Sequence, residues 1–109
     1  MFSTLFILQI LCMKQQYISY QETIDFLTSQ VGEHPNLIRL KTIGQTWEKR
    51  PIILVALSLD VAYADEKPAL LYTGTIHARE WIGIELAIKL IKTISTNYKT
   101  NPQILKAIS

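Results

Sequence analysis

His77 and Glu80 stand three residues apart in the run His77-Ala78-Arg79-Glu80-Trp81. Zinc accepts both a neutral imidazole and a carboxylate, and three protein ligands with a water make a catalytic zinc site. Placed where a strand yields to a helix, the two side chains could converge on one cation. That position also lies at the carboxyl end of a strand, where open α/β sheets bind their ligands. The spacing by itself is a weak signal. On spacing alone the plainer reading is favoured, with His77 capping a strand end and Arg79 and Glu80 in solvent. The apolar approach, the whole run and the helical pattern behind it are together far more restrictive.

The elements that must hold this run can be read from periodicity. Ser19 followed by Glu22 is a capping-box pattern, and Tyr20, Ile24, Leu27 and Val31 recur at helical spacing. A helix over 19–31 is expected, with Gly32 supplying a left-handed turn and Pro35 barring continuation. Residues 37–43 alternate, with Ile38 and Leu40 on one face and Arg39 and Lys41 on the other, as a half-buried strand does. Residues 52–57 are a continuous apolar run suited to a strand covered on both faces, and the two strands pair as an antiparallel hairpin. A polar loop follows, then a third buried strand over 69–76 that delivers His77. From Trp81 to Tyr98 the period is helical: Ile84, Ile88, Ile91, Ile94 and Tyr98 line one face, with Glu85 and Lys89 spaced for an ion pair on the other. Asn101-Pro102 opens a last short helix. The fold class is therefore α/β, a partial mixed sheet of about three strands flanked by helices.

With 109 residues, 49% hydrophobic and 18% charged, the chain fits one globular domain or part of one. Net charge is +2 without a basic run, which sets nucleic acid aside as a partner. A single cysteine, Cys12, offers no intramolecular disulfide. Residues 1–13 are mostly apolar, too short to span a membrane, and lack both a preceding basic residue and a small-residue cleavage site. Residues 1–16 thus read as an imperfect export signal or an N-terminal extension. An export signal would place the protein outside the cell or in the periplasm.

Across residues 17–108 the chain resembles the zinc metallocarboxypeptidases of the pancreatic and bacterial type, peptidase M14. YISYQETIDFL resembles their opening helix, and HPNLIRLKTIGQTWEKRPI their Pro-Asn-Leu … Ile-Gly-x-Ser/Thr-x-Glu-x-Arg-Pro-Ile signature. KPALLYTGTIHAREWI resembles the strand bearing the first zinc ligands, and NYKTNPQILKAI the helices that follow. The resemblance makes residues 17–109 the N-terminal part of a catalytic domain, with the N-terminal part of the carboxypeptidase fold. It implies His77 and Glu80 as the first two ligands of one zinc ion. It also implies Arg79 as a residue lining the groove for peptide or protein C-termini, where its fixed charge and forked donors suit binding the peptide or polarising its scissile carbonyl. A surface ion pair is the plainer alternative for Arg79. Trp81 is expected to pack, and Glu48 and Arg50 to hold a turn.

The chain departs from the family pattern at three places. Lys49 stands where Gly or Asn is frequent, Gly83 where Ser or Thr is usual, and His34 at the place of an aromatic. His34 is expected to be a packing or surface residue. The family's third ligand, a histidine, and its general-base glutamate are expected downstream, and no histidine follows His77. The chain as written is therefore expected to be a truncated peptidase, inactive alone and prone to self-association through an unpaired strand edge. The alternatives are a non-catalytic α/β piece or binding module, with at most weak zinc binding or only packing against a partner, and a zinc acylase. Acylases usually carry Gly after the histidine, where Ala78 stands.

Overall fold

The capping box at Ser19 starts the first helix. Its hydroxyl accepts from the Glu22 N–H at 3.1 Å, and the Glu22 carboxylate takes the Ser19 N–H at 2.7 Å. The Ser19 N–H, and after it the Ser19 hydroxyl, favour the ionised carboxylate and hold the Glu22 pKa below its ordinary value. The computed structural model describes residues 17–109. The expectations for residues 1–16, including Cys12, lie outside the described residues.

Helix α1, Tyr20–Glu33, runs two residues past the expected end. Gly32 has no positive φ and continues the helix, and His34 closes it instead, its N–H donating to the Gln30 carbonyl at 2.9 Å. Strands β1, Ile38–Gln45, and β2, Pro51–Leu57, form the expected antiparallel hairpin. The register shifts between Thr42 and Gly44, so Ile43 is the extra residue of a bulge. β2 is half open: Ile52 and Leu54 are exposed, contrary to a strand covered on both faces.

The connecting turn carries a left-handed residue. Lys49 has φ 64°, and its N–H donates to the Thr46 carbonyl at 3.0 Å. Glu48 and Arg50 pair across it at 3.0 Å, and Arg50 also sits over the Tyr20 ring. A side chain in this backbone region costs roughly 1–2 kcal/mol, part of which glycine gives back through its freer unfolded chain. Lys49→Gly is therefore expected to stabilise the protein by about 0.5–1 kcal/mol, seen as a higher urea midpoint. Lys49→Ala, which keeps the Cβ, should leave the midpoint where it is.

A 3-10 helix, Val61–Glu66, follows β2. The long helix α2, Ile82–Asn97, and the short α3, Pro102–Ile108, complete the described chain, with Asn101 capping α3 through both the Gln103 and Ile104 N–H groups. Leu27, Leu37, Ile38, Ile91 and Ile108 form the core, joining α1, β1, α2 and α3. Ser95 ties α2 to α1 by donating to the Gln30 side-chain oxygen at 2.9 Å. The Ile108 carbonyl accepts from the Leu59 N–H at 2.8 Å and from the Ser58 hydroxyl at 3.3 Å, fastening the last helix behind the hairpin.

Two expectations need correction. Residues 69–76 form no strand, so the sheet has two strands among the described residues and not three. Apolar and β-branched composition favours a pleated surface, but a strand exists only with a ladder partner, and β1 and β2 pair only with each other. The Glu85–Lys89 ion pair is also replaced. Glu85 instead takes the Ile18 N–H at 2.7 Å, anchoring the start of the described chain to α2. The α/β character stands: three helices pack with a hairpin.

Candidate metal centre

Between residues 69–76 and α2 the chain makes two successive turns, 77–80 and 80–83. The Glu80 N–H donates to the His77 carbonyl at 2.9 Å, and the Gly83 N–H donates to the Glu80 carbonyl at 3.1 Å. Such a turn holds its first and fourth Cα atoms within roughly 7 Å, so His77 and Glu80 leave the backbone as neighbours. His77, Arg79 and Glu80 are all exposed.

Among the described residues, neither the His77 nor the Glu80 side chain takes part in a hydrogen bond or ion pair. The ion pairs there are Arg39–Asp65 and Glu48–Arg50, and His34 Nε2 stands 4.0 Å from the Glu33 carboxylate. Arg79 is likewise in no ion pair among the described residues. The donors at the turn suit zinc in type, one nitrogen and one oxygen, and they are not committed to protein partners. In number they fall one short of a catalytic zinc site, since no group of three His, Cys, Asp or Glu side chains converges among the described residues.

The turn is held from outside. Trp81 donates its indole N–H to the Ala78 carbonyl at 2.7 Å and meets Tyr17 edge-on, ring centroids 5.2 Å apart. Thr75 donates its hydroxyl to the Glu80 carbonyl at 3.2 Å, and Tyr72 donates its phenol to the Gly83 carbonyl at 3.2 Å. Tyr17, Ile18, Ser19, Thr75, Trp81 and Ile84 enclose a shallow cavity of about 360 Å³ beside the turn. Thr75 and Tyr72 were not legible as site residues. The one available signal was the Thr-Gly-Thr run immediately before Ile76-His77, which is poor in strand-forming character at its glycine.

His34 lies at the far end of α1. Its ring meets Tyr98 edge-on with centroids 6.4 Å apart, and its carbonyl accepts the N–H groups of Leu37 and Ile38 at 3.0 Å each. It is a packing residue.

Comparison with known proteins agrees with the motif. The zinc carboxypeptidase family, peptidase M14, matches residues 23–109. A zinc carboxypeptidase of Saccharothrix mutabilis subsp. capreolus is 36% identical over 88 residues, covering 81% of this chain and 20% of that protein. Carboxypeptidase A1 of Sus scrofa is 31% identical over 86 residues, 79% of this chain and 20% of that protein. Carboxypeptidase A4 of Mus musculus is 38% identical over 78 residues, 72% of this chain and 18% of that protein. The chain thus spans about a fifth of the length of these curated relatives. With the family match running unbroken from the first helix to the last residue, the chain belongs to the zinc carboxypeptidase family, peptidase M14.

Proposed function

We propose that the turn at 77–80 is part of the zinc centre of a metallocarboxypeptidase, a hydrolase that releases C-terminal residues from peptides. The observation that supports this best is the pairing of uncommitted nitrogen and oxygen donors, His77 and Glu80, on a single hydrogen-bonded turn within a family-matched chain. His77 and Glu80 are the ligands in this reading. Arg79, exposed on the same turn with its fixed charge, lines the groove and binds the peptide or polarises its scissile carbonyl. Zinc, when bound, supplies Lewis-acid polarisation of the scissile carbonyl and of a water molecule.

The same reading separates ligand supply from catalysis. A working centre needs a third ligand and a general base, and the described residues bring no third donor to the turn. The 109-residue chain by itself is therefore expected to bind zinc weakly and to release no C-terminal amino acid from blocked dipeptides. Chromatographic detection of free amino acids, with and without zinc, checks this. Zinc-dependent release that a chelator stops would show that these residues already hold a complete centre.

Association of the isolated chain belongs to the same proposal. Residues 70, 71 and 76 carry exposed Leu, Leu and Ile, and Ile82, Leu86 and Leu90 form an exposed stripe along α2 at i, i+4, i+8. A helix apolar on two sides is ordinarily buried on both. The isolated chain is accordingly read as self-associating through this surface.

A further inference from the structure

The segment before the turn crosses the first turn of α2 at backbone distance. A Cβ placed on Gly74 would lie 3.0 Å from both the Gly83 carbonyl carbon and its oxygen. A Cβ placed on Gly83 would lie 2.5 Å from the Thr75 nitrogen and 2.8 Å from its Oγ1. Both glycines are therefore needed for the approach, and Gly83, a departure from the family pattern, fits the contact made here.

Directly above this contact Thr75 has φ 58°, a left-handed conformation in which a β-branched residue is an outlier. Such a backbone persists only where its surroundings over-determine it. Those surroundings are the glycine contact below, the Tyr72 phenol on the Gly83 carbonyl, and the Thr75 hydroxyl on the Glu80 carbonyl. Thr75 lies two residues before His77, and its side chain reaches across to Glu80. One residue thus fixes both ends of the turn.

We propose that Thr75, seated on the Gly74–Gly83 contact, is a positioning residue that presets His77 and Glu80 for a shared cation. The proposal rests on the reading of those two residues as ligands. Partners that orient metal ligands without touching the metal commonly change affinity by roughly 10–100-fold.

The test uses the 109-residue protein and zinc alone. Zinc is titrated while the His77 ring protons are followed by NMR, and amide exchange at Glu80 is measured without metal. Thr75→Val keeps the branched shape and removes the hydroxyl, Thr75→Ser restores it, and Gly83→Ala forces the backbones apart. Thr75→Val and Gly83→Ala are expected to weaken zinc binding by about tenfold and to speed Glu80 exchange, with Thr75→Ser close to wild type in both. Wild-type affinity and exchange in Thr75→Val and Gly83→Ala would overturn the proposal. If zinc fails to shift His77 even in the wild-type protein, the ligand reading falls. Glu80 exchange then decides the positioning role alone: accelerated exchange in Thr75→Val upholds it, and unchanged exchange removes it.

Discussion

Zinc affinity is expected to fall by at least about tenfold in His77→Ala and in Glu80→Ala, because each removes one of two donors, and even groups one step removed from a metal change affinity by that much. Both side chains are exposed and make no hydrogen bond or ion pair among the described residues, so neither substitution should alter the fold. The loss can therefore be read as lost coordination. His34→Ala supplies the control: that ring packs against Tyr98 away from the turn, and its removal should leave zinc affinity unchanged. Isothermal titration of the four proteins checks the set. Equal zinc uptake by wild type, His77→Ala and Glu80→Ala would remove the ligand assignment.

The largest stability loss is expected at Ile38, the most deeply buried large side chain, 1% exposed among Leu27, Leu37, Ile91 and Ile108. Ile38→Ala removes three carbons from a site enclosed by α1, α2 and α3, where neighbours on separate elements cannot all close the gap. Substitutions of this kind cost about 2–5 kcal/mol. Domains of ordinary stability hold only about 5–15 kcal/mol in total, so the variant should be partly unfolded under mild conditions. Ile43, in the bulge and 59% exposed, gives the contrast, and Ile43→Ala should cost no more than about 0.5 kcal/mol. Urea unfolding followed by circular dichroism compares the two. Coincident midpoints would show that the cluster around Ile38 is not what holds the helices to the hairpin.

What could be read from sequence divides along the range of the interactions involved. The capping box at Ser19 and Glu22, the long helix and the Asn101 cap rest on contacts a few residues apart, and the hairpin on pairing across one turn, from Gln45–Pro51 out to Ile38–Leu57; all are present. The strand expected over 69–76 is absent because its apolar pattern specifies burial, while pairing depends on a partner remote in sequence. Glu85 shows the same limit. Local spacing pairs it with Lys89, yet it accepts from Ile18, 67 residues away. At the site, residue type and spacing made His77 and Glu80 candidates only, and it was the resemblance to the family that implied them as ligands. The support from Thr75, Tyr72 and the two glycines depends on a crossing of backbones that no local pattern encodes. Lys49 lies between these cases: its left-handed φ agrees with a position where glycine or asparagine is frequent in the family.

X-ray absorption at the zinc edge of the zinc-loaded chain tests the shared cation most directly. An imidazole nitrogen at about 2.0–2.1 Å and a carboxylate oxygen at about 2.0–2.2 Å are expected, with water filling the remaining positions. The imidazole signature should vanish in His77→Ala and persist in His34→Ala. A zinc shell of water oxygens only, or an imidazole signature that survives the loss of His77, would contradict the shared cation.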